Sequence, residues 1–441
     1  MNPFRSTLLV IPLVVVMCAF PAFSWSRPQP TPDARRLNLE SFEHVWKTVL
    51  ENHFDATFGG VDWNAVRLEF RPRIEKAHSK DDVRAILGEM LSRLKLSHSV
   101  IIPSELYENE SPAGGRPAPD GTTGIQVRAV DSRALVVSLD PGSPAEKMGV
   151  RRGWEIVRIG TQEVPRKLAL MTKEFEGKPV KDLVLSDAVA SRLEGRIGES
   201  IDVLFRDIAN REVPMTIPLA APRGEKFQIG NMPAGHVWIE TIALGSDIGY
   251  IAFNAFIAPG ILMPPFNRAM TDFRNTDGII IDLRGNTGGQ GDILVGMAGW
   301  FVAEKGRYFG QIRSRSQTLK LLVRPRPDVY PGRVAILVDG LSLCATEVFA
   351  GGLRDLGRAR IFGARTGGIA LSGTVEKLPN GDRFMYPFAD YTTAGGQVLE
   401  GNGLTPDVEV QPTREALLQN RDLVLEAAVR WIRKQAESEL K

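Results

Sequence analysis

The hydrophobic pattern changes its period along the chain. From Leu39 it is helical: Phe42, Val45, Trp46, Val49 and Leu50 fall at i, i+3, i+4, i+7 and i+8, one face of a helix. A second helix is expected to begin at Ser79, with Asp82 three residues on as a capping-box signal. Its apolar face is Val83, Ile86, Leu87, Met90 and Leu94, and it runs out near Leu96-Ser97-His98-Ser99. Residues 37–103 therefore read as an N-terminal helical domain. The stretch before it, with Pro28, Pro30 and Pro32, reads as an extended leader, and residues 104–120, rich in Pro, Gly, Glu and Ser, as a linker. Short strand-like runs follow at 124–127, 134–137 and 154–157. The turn Pro141-Gly142-Ser143-Pro144-Ala145 leads into one short helix. Residues 118–225 are thus a β-rich domain whose later pieces the pattern does not order.

From residue 248 continuous apolar runs alternate with helical ones. Strands are expected at 248–253, 278–283, 334–338 and 359–362, and helices at 264–274, 290–303 and 345–356, the last stopped by Gly357. Apolar strands separated by helices indicate right-handed βαβ crossovers and a buried, largely parallel sheet over 240–436. The fold class is multidomain α/β.

The first residues refine the picture at one end. Arg5, an apolar stretch from Thr7 to Phe20 and the small-residue spacing of Ala22-Phe23-Ser24 read as a signal peptide over 1–24, with an uncleaved membrane anchor as the alternative. The expected location is periplasmic or secreted. Of two cysteines, Cys18 lies in that leader, so the exported chain keeps Cys344 alone and forms no internal disulfide. A net charge of +2 with 24% charged residues makes no electrostatic case for nucleic acid or an anionic membrane. No Cys/His cluster has metal-ligand spacing, so neither a metal nor an organic cofactor is expected.

Chemistry concentrates on two loops that leave the C-terminal ends of neighbouring expected strands, where open α/β sheets place their sites. One is Asp282-Leu283-Arg284-Gly285-Asn286-Thr287-Gly288-Gly289-Gln290-Gly291. Its glycines can turn bare N–H groups toward an anion, a phosphate or an acyl-transfer oxyanion, though no Gly-Lys-Ser/Thr follows as in a phosphate-binding P-loop. Arg284 is expected to pair with Asp282 or the loop carbonyls. The other is Asp339-Gly340-Leu341-Ser342-Leu343-Cys344-Ala345-Thr346-Glu347. A thiol at a helix N-terminus has its thiolate favoured by unpaired amides, and the Ala345 amide can join a glycine of the first loop in holding an oxyanion. Ser342 is a rival nucleophile, better explained as the N-cap of the following helix.

Two resemblances follow. Gly124-Ile125-Gln126-Val127, as a carboxylate-binding loop, and Ser143-Pro144-Ala145-Glu146-Lys147-Met148-Gly149-Val150-Arg151-Arg152-Gly153 resemble a PDZ domain, with Trp154 where that family usually has Asp. Such a module binds a peptide C-terminus by strand addition. The whole chain resembles the carboxyl-terminal processing (tail-specific) peptidases, including the tricorn-type core. The matching pieces are Gly60-Val61-Asp62-Trp63, Leu94 to Ser99, the PDZ-like module, Asp282 to Gly289, Cys344 to Glu347, Gly363 to Gly368 and Leu399 to Asp407.

That resemblance implies a crotonase-like peptidase fold and serine endopeptidase chemistry. It places Cys344 on the nucleophile serine and Ile369 where the processing branch has its general-base lysine; Lys377 lies too far along to replace it. The tricorn-type branch implies another base: Ser97-His98, completed by Glu400. Histidine has the pKa for the task, and a carboxylate fixes its tautomer. Of five histidines, His44, His53, His78 and His236 read as surface or packing residues.

The expectation is an exported endopeptidase acting on protein or peptide substrates. Cys344 is the nucleophile, His98 with Glu400 and Ser97 the base, and Ala345 with Gly288, or alternatively Gly289, the oxyanion hole. The alternatives are a catalytically inactive homologue that binds peptides as a scaffold, and a hydrolase of non-peptide acyl substrates.

Overall fold

A computed structural model describes residues 31–107 and 119–439. The expected signal peptide, Cys18 and residues 108–118 of the linker lie outside the described residues. The N-terminal region holds three helices, Pro32–Asn52, Trp63–Glu75 and Lys80–Ser92. The first begins inside the expected leader, because Pro32 suits the first helical position and the Thr31 hydroxyl accepts from the Ala34 amide. The Ser79 cap forms as expected, its hydroxyl accepting from the Asp82 amide. The middle helix, whose N-cap Asp62 accepts from Asn64 and Ala65, carries Pro72 and was not evident in the pattern.

These helices are not self-contained. Phe42, Val45, Phe70 and Leu87 pack against Leu378, Phe384 and Tyr386, which come from far along the chain. The junction is also ionic. Buried Asp382 accepts from Arg84, at 2.7 and 3.0 Å, and from the Ser104 amide, with Lys80 at 3.2 Å. Asp382→Ala should cost about 3 kcal/mol by leaving the half-buried Arg84 under-compensated and the Ser104 amide without its acceptor; urea unfolding of the two proteins measures it.

The β-rich region is a sheet ordered Ile125–Val130, Arg133–Leu139, Glu155–Ile159, Ser200–Arg206 and Glu212–Pro218, antiparallel throughout. The helix Lys181–Ala190 lies along the first of these strands, where the Ala129 amide donates to Ser186 Oγ at 3.3 Å.

The C-terminal region is built on a six-stranded sheet, in the order 239–244, 248–253, 278–282, 333–338, 359–363 and 408–409. All neighbours are parallel except the first pair. Side chains alternate across it. Ile279, Ile281, Val334, Ile336 and Val338 pack with Leu262, Phe266, Ile293 and Phe349, whereas Ile280, Ala335 and Leu337 pack on Val424, Ala428 and Ile432 of the C-terminal helix. Sheets covered on both faces read as continuous apolar runs, which is why these strands were legible. A second, antiparallel sheet joins Val100–Ile102, Ser372–Lys377, Arg383–Thr393, Tyr308–Ser314 and Thr318–Leu322, tying the end of the helical region to the C-terminal region.

Candidate active site

The strand Arg333–Val338 delivers the chain to a tight turn, and Cys344 is the N-cap of the helix Ala345–Asp355. Its backbone is left-handed, with φ 54° and ψ −118°. Such a conformation is costly for a non-glycine residue and persists only where the surroundings impose it. The Cys344 amide donates to Ile369 O at 2.8 Å and to Glu347 Oε2 at 3.0 Å. The thiol donates to Leu371 O at 3.8 Å.

The thiolate expected from the helix N-terminus does not follow. Burial pushes the thiol up to about 11; the amides of Ala345 and Gly289 pull it down, while the carboxylates of Glu347 and Glu400 add to the rise. Desolvation and negative neighbours outweigh the helix end, so the resting group is a thiol.

The glycine loop divides its work differently from the expectation that put Gly288 first. The Gly288 amide is already used, donating to Asn286 Oδ1 at 3.0 Å. Gly288 is glycine for space: a Cβ there would stand 2.6 Å from Cys344 Cβ and 2.8 Å from the Ala345 nitrogen. The Gly289 amide is the one turned on the sulfur. Asn286 holds the loop, donating to Phe253 O at 2.8 Å and accepting from Thr346 Oγ1 at 2.7 Å. Arg284 pairs with Asp282, as expected, and also with Asp422 at 2.8 Å.

Ser342 is not the helix cap. It is fully buried, donating to Leu283 O at 2.8 Å and accepting from the Asp339 amide at 3.0 Å, and its place two residues before the elbow points it into the loop junction.

Ser97, His98 and Glu400 come together, though 302 and more positions separate the carboxylate from the pair. Glu400 makes no hydrogen bond to the imidazole. It accepts from Ser97 Oγ and the Ser97 amide, both at 2.9 Å, and from the Ala370 amide at 2.9 Å. Ser97 Oγ in turn meets His98 Nδ1 at 2.9 Å. The carboxylate therefore orients the ring through a hydroxyl. His98 also has a left-handed backbone, φ 57°, and burial lowers its pKa to about 4.

The segment 369–373, which runs into the strand Ser372–Lys377, connects the two halves. Ile369 O and Leu371 O receive the Cys344 groups, the Ala370 amide meets Glu400, and a Cβ on Gly373 would stand 3.3 Å from His98 Cδ2. No hydrogen bond joins Cys344 to His98. Two of the other histidines hold structure: His44 meets Glu376 at 3.1 Å, and His53 bonds the Asp55 backbone.

Sequence reasoning missed Glu347. Its carboxylate accepts from Cys344, Thr366, Gly368 and Ile369. The signal was present, since Glu three residues after an N-cap is the capping-box spacing, here with cysteine in the capping position.

Gly124, Ile125, Gln126 and Val127 enter the edge strand of the β-rich sheet. Gly124 has φ +77°, and a Cβ there would collide with Ser143. The next residue along, Arg128, reaches Asp339 of the loop that carries Cys344, at 2.8 Å. Asp339 also accepts from the amides of Gly285 and Leu341, at 2.9 and 3.0 Å, so it joins both loops. A cavity of about 980 Å³ opens beside this contact, lined by Gln126, Arg128, Ser186, Thr287, Asp339 and Gly340 among others. Cys344, His98 and Glu400 do not line it.

Comparison with known proteins fits this geometry. Residues 247–410 match Peptidase family S41, and residues 38–92 match the Tricorn protease C1 domain. The chain is thus a hydrolase of the serine-type peptidase class, with its resemblance to the S41 peptidases carried by residues 247–410. Among relatives, it is 25% identical over 395 residues to a carboxyl-terminal-processing protease of Picosynechococcus sp., covering 87% of each chain. It is 24% identical over 387 residues to a probable CtpA-like serine protease of Staphylococcus aureus, covering 85% of this chain and 65% of that one. In fold it is similar to the photosystem II D1 C-terminal processing protease, with TM-score 0.55 at 19% identity over 87% of this chain and 96% of that one. It is similar also to mature CPAF complexed with lactacystin, with TM-score 0.59 at 12% identity over 91% and 97%. No helix among the described residues is long and apolar enough to cross a membrane.

Proposed function

We propose that the chain is an exported endopeptidase that cleaves protein or peptide substrates at Cys344, with His98 as the base. The observation that carries this is the elbow: a strained N-cap holds the sulfur against the amides of Ala345 and Gly289, at the site of a matched peptidase family.

In this reading the sulfur attacks the scissile carbonyl, forming the C–S bond, and its proton passes to His98 Nε2, since Nδ1 is occupied by Ser97. The amides of Ala345 and Gly289 hold the oxyanion. Collapse breaks the C–N bond, and the imidazolium returns the proton to the leaving amine. A water then hydrolyses the thioester by the same route. A thiol near 11 and an imidazole near 4 do not form a resting ion pair, so proton transfer must accompany attack. The imidazole closes on the thiol when substrate fills the site, as catalytic hydrogen bonds tighten on binding. The PDZ-like region recruits the chain to be cut, adding it as a strand beside Ile125–Val130. Export follows from the leader at 1–24.

The test is incubation of the mature protein with an unstructured protein, with fragment mass analysis, before and after iodoacetamide. Fragments that vanish on stoichiometric alkylation of Cys344 support the reading. Undiminished cleavage after complete alkylation defeats the nucleophile assignment, and no cleavage at all points to a peptide-binding scaffold.

A further inference from the structure

Glu347 is a buried carboxylate whose hydrogen-bond partners all lack charge. Its two oxygens are each taken twice. Oε1 accepts from Thr366 Oγ1 at 2.5 Å and the Gly368 amide at 2.9 Å; Oε2 accepts from the amides of Cys344 and Ile369, both at 3.0 Å. A carboxylate has room for about four such donors. A glutamine does not: whichever way it is flipped, its NH₂ faces two donors.

Burying an unpaired charge is expensive, and a helix cap alone does not require one, since a neutral hydroxyl caps as well. The arrangement is explained by what the donors belong to. One is the amide of the nucleophile. The other three belong to the turn 366–369, whose continuation supplies Leu371 O to the thiol and the Ala370 amide to Glu400.

We propose that Glu347 is the positioning residue of this site, tying the nucleophile's own amide to the 366–369 turn and so setting Cys344 against the Glu400–Ser97–His98 chain. This rests on the peptidase reading for its catalytic consequence but not for the clamp itself. The same negative charge, beside the sulfur, adds to the rise that burial gives the thiol and makes it slower to react with adventitious electrophiles.

The experiment uses Glu347→Gln in the mature protein, its fold checked by near-ultraviolet circular dichroism. Three readouts are taken at pH 8.5. Peptide cleavage should show kcat down by about 10²-fold with KM within about threefold, the cost of a misplaced nucleophile. Deuterium uptake should rise in fragments covering 343–348 and 366–371. Alkylation of Cys344 should become about three- to tenfold faster as the neighbouring charge is lost. Glu347→Ala should reproduce the exchange result; if Gln does not fold, Glu347→Asp, which keeps the charge with a shorter reach, replaces it and should raise exchange without faster alkylation. Unchanged exchange in a folded variant overturns the clamp, whatever the cleavage assay shows. Raised exchange with kcat within threefold of the parent overturns the positioning role. If the parent itself cleaves nothing, the peptidase reading fails while the exchange and alkylation results still decide the clamp.

Discussion

Cys344→Ala is expected to lower kcat for peptide cleavage by at least about 10³-fold with the fold intact, because residues that act as a unit lose almost everything when the nucleophile goes. The fold should survive. The thiol donates one long hydrogen bond, to Leu371 O at 3.8 Å, and the bonds that fix the elbow are made by the backbone and by Glu347. Alanine must still hold φ near 54°, as cysteine does, so the strain is common to both. Cys344→Ser is the informative partner. It keeps a nucleophilic group under the amides of Ala345 and Gly289 and should cleave above the alanine background, now indifferent to iodoacetamide. Full activity in the alanine variant would remove Cys344 from the mechanism. An inactive serine variant beside an active parent would mean that the site depends on thiol chemistry.

Much of this architecture was legible because its physics is local. The parallel strands read as apolar runs since both faces are covered, and the Ser79 cap declared itself by spacing. The elbow was visible as an apolar run, a small-residue turn and a helical run. Four things were not legible. The partnership of Glu400 with Ser97 spans the chain, and no periodicity in either segment encodes it; it entered through family resemblance. Which glycine amide is free depends on Asn286, a side chain that captures Gly288 and leaves Gly289. The protonation of the thiol depends on enclosure and on two carboxylates, while the sequence displayed only the favourable helix end. The short helix Trp63–Glu75 was obscured by Pro72 and by its charged face.

The Arg128–Asp339 contact gives the β-rich region a direct hold on the loop that carries Cys344. Asp339 gathers the amides of Gly285 and Leu341, and Arg128 holds its carboxyl below the ordinary range against burial, which pushes it up. The loops are therefore organised in part by a residue outside the peptidase-family match, which begins at residue 247. The site is a joint product of three regions: the helical segment brings His98, the β-rich sheet brings Arg128, and the parallel sheet brings Cys344 and the glycine loop.

His98→Asn should lower kcat by about 10²- to 10⁴-fold, the usual worth of a positioned general base, and should also change how stability depends on pH. Burial lowers the imidazole to about 4, against an ordinary value of 6.5. Between those values the unfolded chain takes up a proton that the folded chain refuses, so this group removes stability as pH falls from 6.5 to 4. The full effect is about 3 kcal/mol by linkage. The parent's total is no test, because Glu347, raised to about 7, titrates in an overlapping window with the opposite sign: its folded form binds the proton more tightly, so it adds stability as pH falls. The difference between variant and parent isolates His98. Urea unfolding at pH 7 and pH 4.5 should show the parent losing more stability on acidification than His98→Asn, by about 2 to 3 kcal/mol. Equal losses would mean that the imidazole is hydrated and titrates normally. Such a ring would be a stronger base, protonated in mild acid, and cleavage would then fall below about pH 6.5 rather than persist.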